Sequence, residues 1–135
     1  MLDNYRKTVH IEAQTMIDMA RREILPAVER YAAKLAEGLA AKKAVAPGIV
    51  GRYETGLITH LSGLADQIDA AACDLDAALA QYRAIDDVVK GAEFIRDVVL
   101  PKMDALRAPC DEAETCTAEE YWPFPTYGDL LFGVK

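Results

Sequence analysis

The chain has 135 residues, a net charge of −7 and an apolar fraction of 52%. That is enough for one domain with a real core, and it excludes a chain disordered throughout. The densest basic spots, Arg21-Arg22 and Lys42-Lys43, are diluted by nearby acids, which argues against a nucleic-acid partner or an anionic membrane surface.

From Tyr5 to about Val45, apolar residues recur at helical spacing. Ile17, Ala20, Ile24, Val28, Tyr31, Leu35 and Leu39 step by three and four onto one stripe, and charged residues mostly fill the other faces. Pro26 interrupts the ladder, at a cost of about 3 kcal/mol for a mid-helix proline. The pattern stays in phase across it, so a kink is expected rather than a stop. Val45-Ala-Pro-Gly-Ile-Val-Gly51 is a turn signal. A second helix then carries Leu57, Leu61, Leu64, Ile68, Ala71, Leu75, Ala78, Tyr82 and Ile85 in unbroken alternation of four and three. This heptad seam is the signature of near-antiparallel packing in a bundle. Ala71 and Ala78 are narrow points for close approach, while Gly56 and Gly63 weaken the flank.

Near Ala84 the second and third helices either separate or run together. Asp86-Asp87 offers a cap, and Val88, Ala92, Ile95, Val99, Met103 and Leu106 form the third stripe. Pro101 predicts a second kink. Ile24-Leu-Pro and Val99-Leu-Pro resemble each other, by chance or through shared kink chemistry. Pro109 is the expected stop, although the acidic run Asp111 to Glu114 is able to add a turn. The connections are short, so neighbours should run antiparallel. The expected fold is all-α: an antiparallel three-helix bundle with kinked long helices over residues 1–114, then an extended aromatic strap over 115–135. No strand pattern is visible.

The strap holds five of the ten aromatic residues beside Pro123 and Pro125. The prolines favour extended geometry, and apolar aromatics at a chain end imply a receiving groove. Tyr121, Trp122, Phe124, Pro125, Tyr127, Leu130, Leu131 and Phe132 are therefore the candidate docking residues. They either fold back on the bundle or reach a neighbouring domain or subunit.

Catalytic signatures are absent from the sequence: no Gly-rich phosphate loop, no His-Glu-x-x-His and no Gly-x-Ser-x-Gly. The two histidines, His10 and His60, lack a glutamate three residues earlier, so a bundle di-metal pattern is missing. Asp66, Asp69, Asp74 and Asp76 flank the seam and should face water; Glu12 is the one further acid of interest. Cys73, Cys110 and Cys116 read as reduced thiols, with a poor zinc spacing between the last two and a regulatory disulfide between them left open. No catalytic, cofactor-binding or metal-ligating residue is expected. With no apolar run of membrane-spanning length and a polar start, the expected setting is the cytoplasm.

Three stretches in order along the chain carry a family resemblance. Trp122-Pro-Phe-Pro-Thr-Tyr-Gly-Asp-Leu-Leu-Phe132 closely resembles the C-terminal signature of type III glutamine synthetases. Lys7-Thr-Val-His-Ile-Glu-Ala-Gln-Thr15, followed by Ile24-Leu-Pro-Ala27 and Tyr31, resembles the family's first helix after the catalytic body, and Arg96 to Arg107 resembles its last long helix. The resemblance implies a C-terminal helical domain of an enzyme that joins ammonia to glutamate with ATP and magnesium in a large ringed homo-oligomer. It places the cofactors and catalytic ligands in a separate sheet-based body, so none is carried over to a residue here. The implied partners are that catalytic body in the same polypeptide and neighbouring subunits, and the implied role is structural, in bracing or assembly, or in presenting a surface to a regulator. The helix signal almost from Met1 is what an excised fragment would give. The alternative is an independent helical adaptor that captures a separate protein partner.

Overall fold

The computed structural model describes residues 2–125. They are helical throughout apart from short connections, with no strand among the described residues. Helix α1 spans Leu2–Met19, a π-helical turn covers Ala20–Ile24, and α2 continues over Leu25–Val45. Helix α3 spans Arg52–Arg83. Helix α4 covers Val88–Phe94, a second π-turn covers Ile95–Val99, and α5 runs over Leu100–Cys116. A 3-10 turn at Glu119–Tyr121 follows. Three long rods result, the first and third each assembled from two α-segments around a π-turn.

The two π-turns explain how the prolines are tolerated. A proline inside a helix lacks an N–H and its ring collides with the carbonyl four residues back. Here the turn just before each proline is widened. Leu25 N–H donates to the Ala20 carbonyl and Leu100 N–H to the Ile95 carbonyl, five residues back in both cases. Pro26 and Pro101 then sit in the first turn of α2 and α5, and the similarity of Ile24-Leu-Pro and Val99-Leu-Pro is a shared local solution.

Pro109 does not end the third rod, as the sequence suggested. It lies inside α5, which continues to Cys116, past the expected boundary at 114. Its ring falls on the buried stripe with Met103, Leu106 and Ala113, so burial offsets part of the lost hydrogen bond. At the other end of this rod, Val88 is exposed and Gly91 takes its place on the buried face. A Cβ on Gly91 would come within 2.9 Å of the Arg6 guanidinium, whose Nε–H donates to the Tyr82 hydroxyl at 3.0 Å. The missing side chain lets α1, α3 and α4 meet. Helices α3 and α4 are separate: α3 ends at Arg83, and Asp87 caps α4 by accepting from the Val89 N–H at 3.1 Å.

The core draws on all three rods: Ile17, Ile24 and Val28 from the first, Leu61, Ile68, Leu75 and Leu79 from α3, and Ile95, Val99 and Leu106 from the third. On α3 the seam residues Leu61, Leu64, Ile68, Leu75, Ala78 and Tyr82 are buried, and so are Ala72 and Leu79. The apolar face is wider than a two-helix seam because α3 packs on both other rods. Position numbers fall along α3 as they rise along the first rod: Arg6 meets Tyr82, Arg21 meets Asp76, Lys42 meets Glu54. His60 of α3 meets Glu112 of α5.

The first rod has no fully buried residue after Ala32, because the third rod ends beside the first turns of α3. The C-terminal half of α2 and the start of α3 extend beyond it as a hairpin. Its turn is closed by Ile49 N–H to the Ala46 carbonyl. Gly51, at φ +68°, occupies the left-handed region just before α3, and a Cβ there would collide with Leu39 Cδ1.

Candidate docking surface

The strap begins where α5 stops. Thr117 turns extended (φ −92°, ψ 131°) and its N–H closes the helix on the Ala113 carbonyl at 2.9 Å. The 3-10 turn holds Tyr121 and Trp122 through bonds to Ala118 and Glu119 at 2.9 and 3.1 Å, so the strap opens with a tight turn and becomes extended from Trp122 (φ −75°, ψ 126°). Tyr121 packs against Tyr31 of α2 with ring centroids 5.2 Å apart. Trp122 is 6% exposed and belongs to the core, and Phe124 meets it edge-on at 6.3 Å. Of the described candidates, Tyr121, Trp122 and Phe124 thus lie against the chain's own helices, and Pro125 is exposed. Tyr127, Leu130, Leu131 and Phe132 lie outside the described residues.

Two apolar surfaces escaped the periodicity reading. At the hairpin tip, Val45, Val50 and Tyr53 are 87%, 77% and 72% exposed, with Ile49 beside them. At the opposite end, Tyr5, Val88 and Val89 are exposed, and Tyr5 and Val89 line a shallow groove with Ala92, Glu93 and Arg96. Val45, Ile49 and Val50 lie within the turn signal and Tyr53 just after it, where polar residues are usual, and four large apolar residues in nine positions were the available clue. The tip is braced by the Lys42–Glu54 pair at 3.2 Å. The Glu54 carboxyl is held below its ordinary range by a backbone N–H first and by Lys42 second. Burial, then the Tyr53 hydroxyl, pushes the Tyr31 phenol up.

The concavities are open. One of about 350 Å³ lies between α1 and α3, lined by Gln14, Ile17, Asp18, Arg21, Arg22 and Asp76. Asp76 is paired there with Arg21 at 3.0 Å, while Asp66, Asp69 and Asp74 face water. Glu12 stands exposed on a groove shared by α1 and α5. His10 packs on the Tyr82 ring at 5.5 Å with Arg83 Nη1 3.3 Å from its Nε2; burial first, and Arg83 second, lower its pKa. His60 is brought beside Glu112 and Cys116, all three donor atoms within 4.8 Å of one another. This is the one such donor group among the described residues. An imidazole and a thiol are poor ligands for magnesium, which prefers oxygen, so these residues do not fit the magnesium–nucleotide chemistry implied for the larger enzyme.

Among the described residues no helix is long and apolar enough to cross a membrane. Residues 1–43 match the family model described as the glutamine synthetase C-terminal domain. The chain is 30% identical over 135 residues to a glutamine synthetase of Butyrivibrio fibrisolvens, covering 100% of this chain and 19% of that protein. It is 24% identical over 139 residues to the type-3 glutamine synthetase of Dictyostelium discoideum, covering 98% and 18%. With a glutamine synthetase of Bacteroides fragilis (strain YCH46) it shares 25% over 135 residues, covering 97% and 18%. The chain thus spans under a fifth of the length of the curated relatives it matches. From the matched domain and the similarity running through the whole chain, it belongs to the type III glutamine synthetase family, as a C-terminal domain.

Proposed function

We propose that this chain is a non-catalytic brace, an antiparallel three-helix bundle that supports assembly of a type III glutamine synthetase. On this reading, ATP- and magnesium-dependent ligation of ammonia to glutamate belongs to the rest of such an enzyme, in the cytoplasm. The partners of this domain are then the catalytic body of the same polypeptide and neighbouring subunits. The observation that carries the reading is the hairpin tip. Val45, Val50 and Tyr53 present a contiguous apolar end beyond the third rod, costly to leave in water and suited to another protein surface. The strap has a second part in it: Trp122 anchors it to the bundle, and the candidates beyond Pro125 extend the contact to the neighbour.

The test is made in a full-length enzyme carrying this domain. Val45→Asp with Val50→Asp, and separately deletion of residues 121–135, should shift the sedimentation profile toward smaller species or lower the melting temperature. An unchanged profile and melting temperature in both variants would refute the assembly role. The 135-residue chain alone should form no glutamine from glutamate, ammonia and ATP; turnover by it would refute the non-catalytic assignment.

A further inference from the structure

We propose that His60, Glu112 and Cys116 form a zinc-binding site that clamps the end of α5 to α3. Glu112 and Cys116 are one turn apart on α5, so their side chains share a face. His60 projects from α3 onto that face, with Nε2 3.4 Å from Glu112 Oε1. Cys116 Sγ lies 3.8 Å from the same oxygen, and the three donors are mutually within 4.8 Å. Ligands about 2.0–2.3 Å from a tetrahedral zinc are separated by roughly 3.3–3.8 Å. The two separations from Glu112 Oε1 match that edge, so an ion can enter with small rotamer adjustments.

The donor set selects the metal. Imidazole, carboxylate and thiolate together suit zinc, a borderline-soft cation, and disfavour magnesium and calcium. His60 and Glu112 are half-exposed, at 50% and 53%, so the ion has a direct path from solvent and a water completes the fourth position. Coordination replaces the Cys116 thiol proton, which leaves to bulk solvent. The position gives the site a consequence. Cys116 is the last residue of α5, and Thr117, the buried residue after it, starts the strap. A metal here fixes the point from which the strap departs.

The test uses the full 135-residue chain, reduced, with Co²⁺ as the spectroscopic probe and Zn²⁺ as competitor. One equivalent of Co²⁺ should give a thiolate-to-cobalt charge-transfer band with the visible bands of a tetrahedral ion, both displaced by one equivalent of Zn²⁺. Cys116→Ser should abolish the charge-transfer band. His60→Ala and Glu112→Gln should each weaken binding at least about 10-fold, the lower end of losses seen even for outer-shell partners. Cys73→Ser and Cys110→Ser should leave it unchanged. Zn²⁺ should raise the melting temperature of the parent chain and not of Cys116→Ser. No thiolate band at stoichiometric cobalt, a band that survives Cys116→Ser, or binding indifferent to His60→Ala overturns the assignment. His60 and Glu112 lie at the surface and Cys116 is partly buried, and unchanged circular dichroism confirms that the variants fold.

Discussion

Replacing Trp122 with alanine tests whether the strap is part of the folded core. A tryptophan side chain buries about 150–250 Å², and Trp122 is 6% exposed. At about 25 cal/mol per Å² the burial contributes roughly 4–6 kcal/mol. Compactness of the unfolded chain trims this by about 10–40%, leaving roughly 2–5 kcal/mol, which overlaps the range for Trp→Ala in protein cores. The loss has a ceiling, because a strap that detaches takes no helix with it. Global destabilisation cannot exceed the free energy with which the strap is docked. Urea unfolding followed by circular dichroism should therefore show a lowered midpoint with native helicity retained before the transition. Trp122 is the only tryptophan, so its emission in the parent chain reports docking directly and should be blue-shifted until unfolding. A loss below about 1 kcal/mol, together with the emission of a water-exposed indole in the parent chain, would refute the packing argument.

Three further outcomes are expected. Gly51→Ala should destabilise by at least about 1–2 kcal/mol in thermal or urea unfolding, since it forces a left-handed alanine against Leu39; an unchanged midpoint would contradict the turn geometry. Burial and Arg83 hold the His10 pKa below 6.5 in the fold, so the unfolded chain binds the extra proton more readily. Its contribution is complete above about pH 6.5 and is lost as pH falls through the folded value, and His10→Gln should flatten that part of the stability–pH curve. The Cys110 thiol is pushed up to about 11 by burial first and Asp111 second, whereas Cys73 is exposed. Alkylation at pH 8 with mass-spectrometric readout should label Cys73 well before Cys110, and equal rates would count against the burial.

The helices were legible because their apolar residues repeat at helical spacing, and α3 most of all, where the alternation of four and three never slips. Asp87 was legible as a cap because an aspartate before an apolar run has a local job. The π-turns were harder. On the first rod Val9, Ala13 and Ile17 are buried in steps of four ahead of Pro26, and on the third Gly91, Ile95 and Val99 are buried in steps of four ahead of Pro101. In a regular α-helix each step of four overshoots the face by about 40°, so such a run ahead of a proline marks a widened turn. Pro109 misled because its local cost is visible in sequence and its tertiary burial is not. The His60, Glu112 and Cys116 group joins residues 52 positions apart through the pairing of α3 with α5, which no local spacing reports. The docking candidates were found by composition, and composition cannot tell that Trp122 turns inward.

The widened turns leave slack in the rods. Each spends one residue more than an unbroken helix needs to climb the same height, and the following proline is what makes that surplus useful. Deleting Arg22, a solvent-facing position, with Pro26→Ala should tighten the first rod to regular pitch and leave the partners of its two ends in place. The same deletion with Pro26 retained drives the ring into a carbonyl. A one-residue deletion in the middle of α3 has no such reserve, and it swings every later side chain by about 100°, carrying Leu75, Leu79 and Tyr82 out of register with both neighbours.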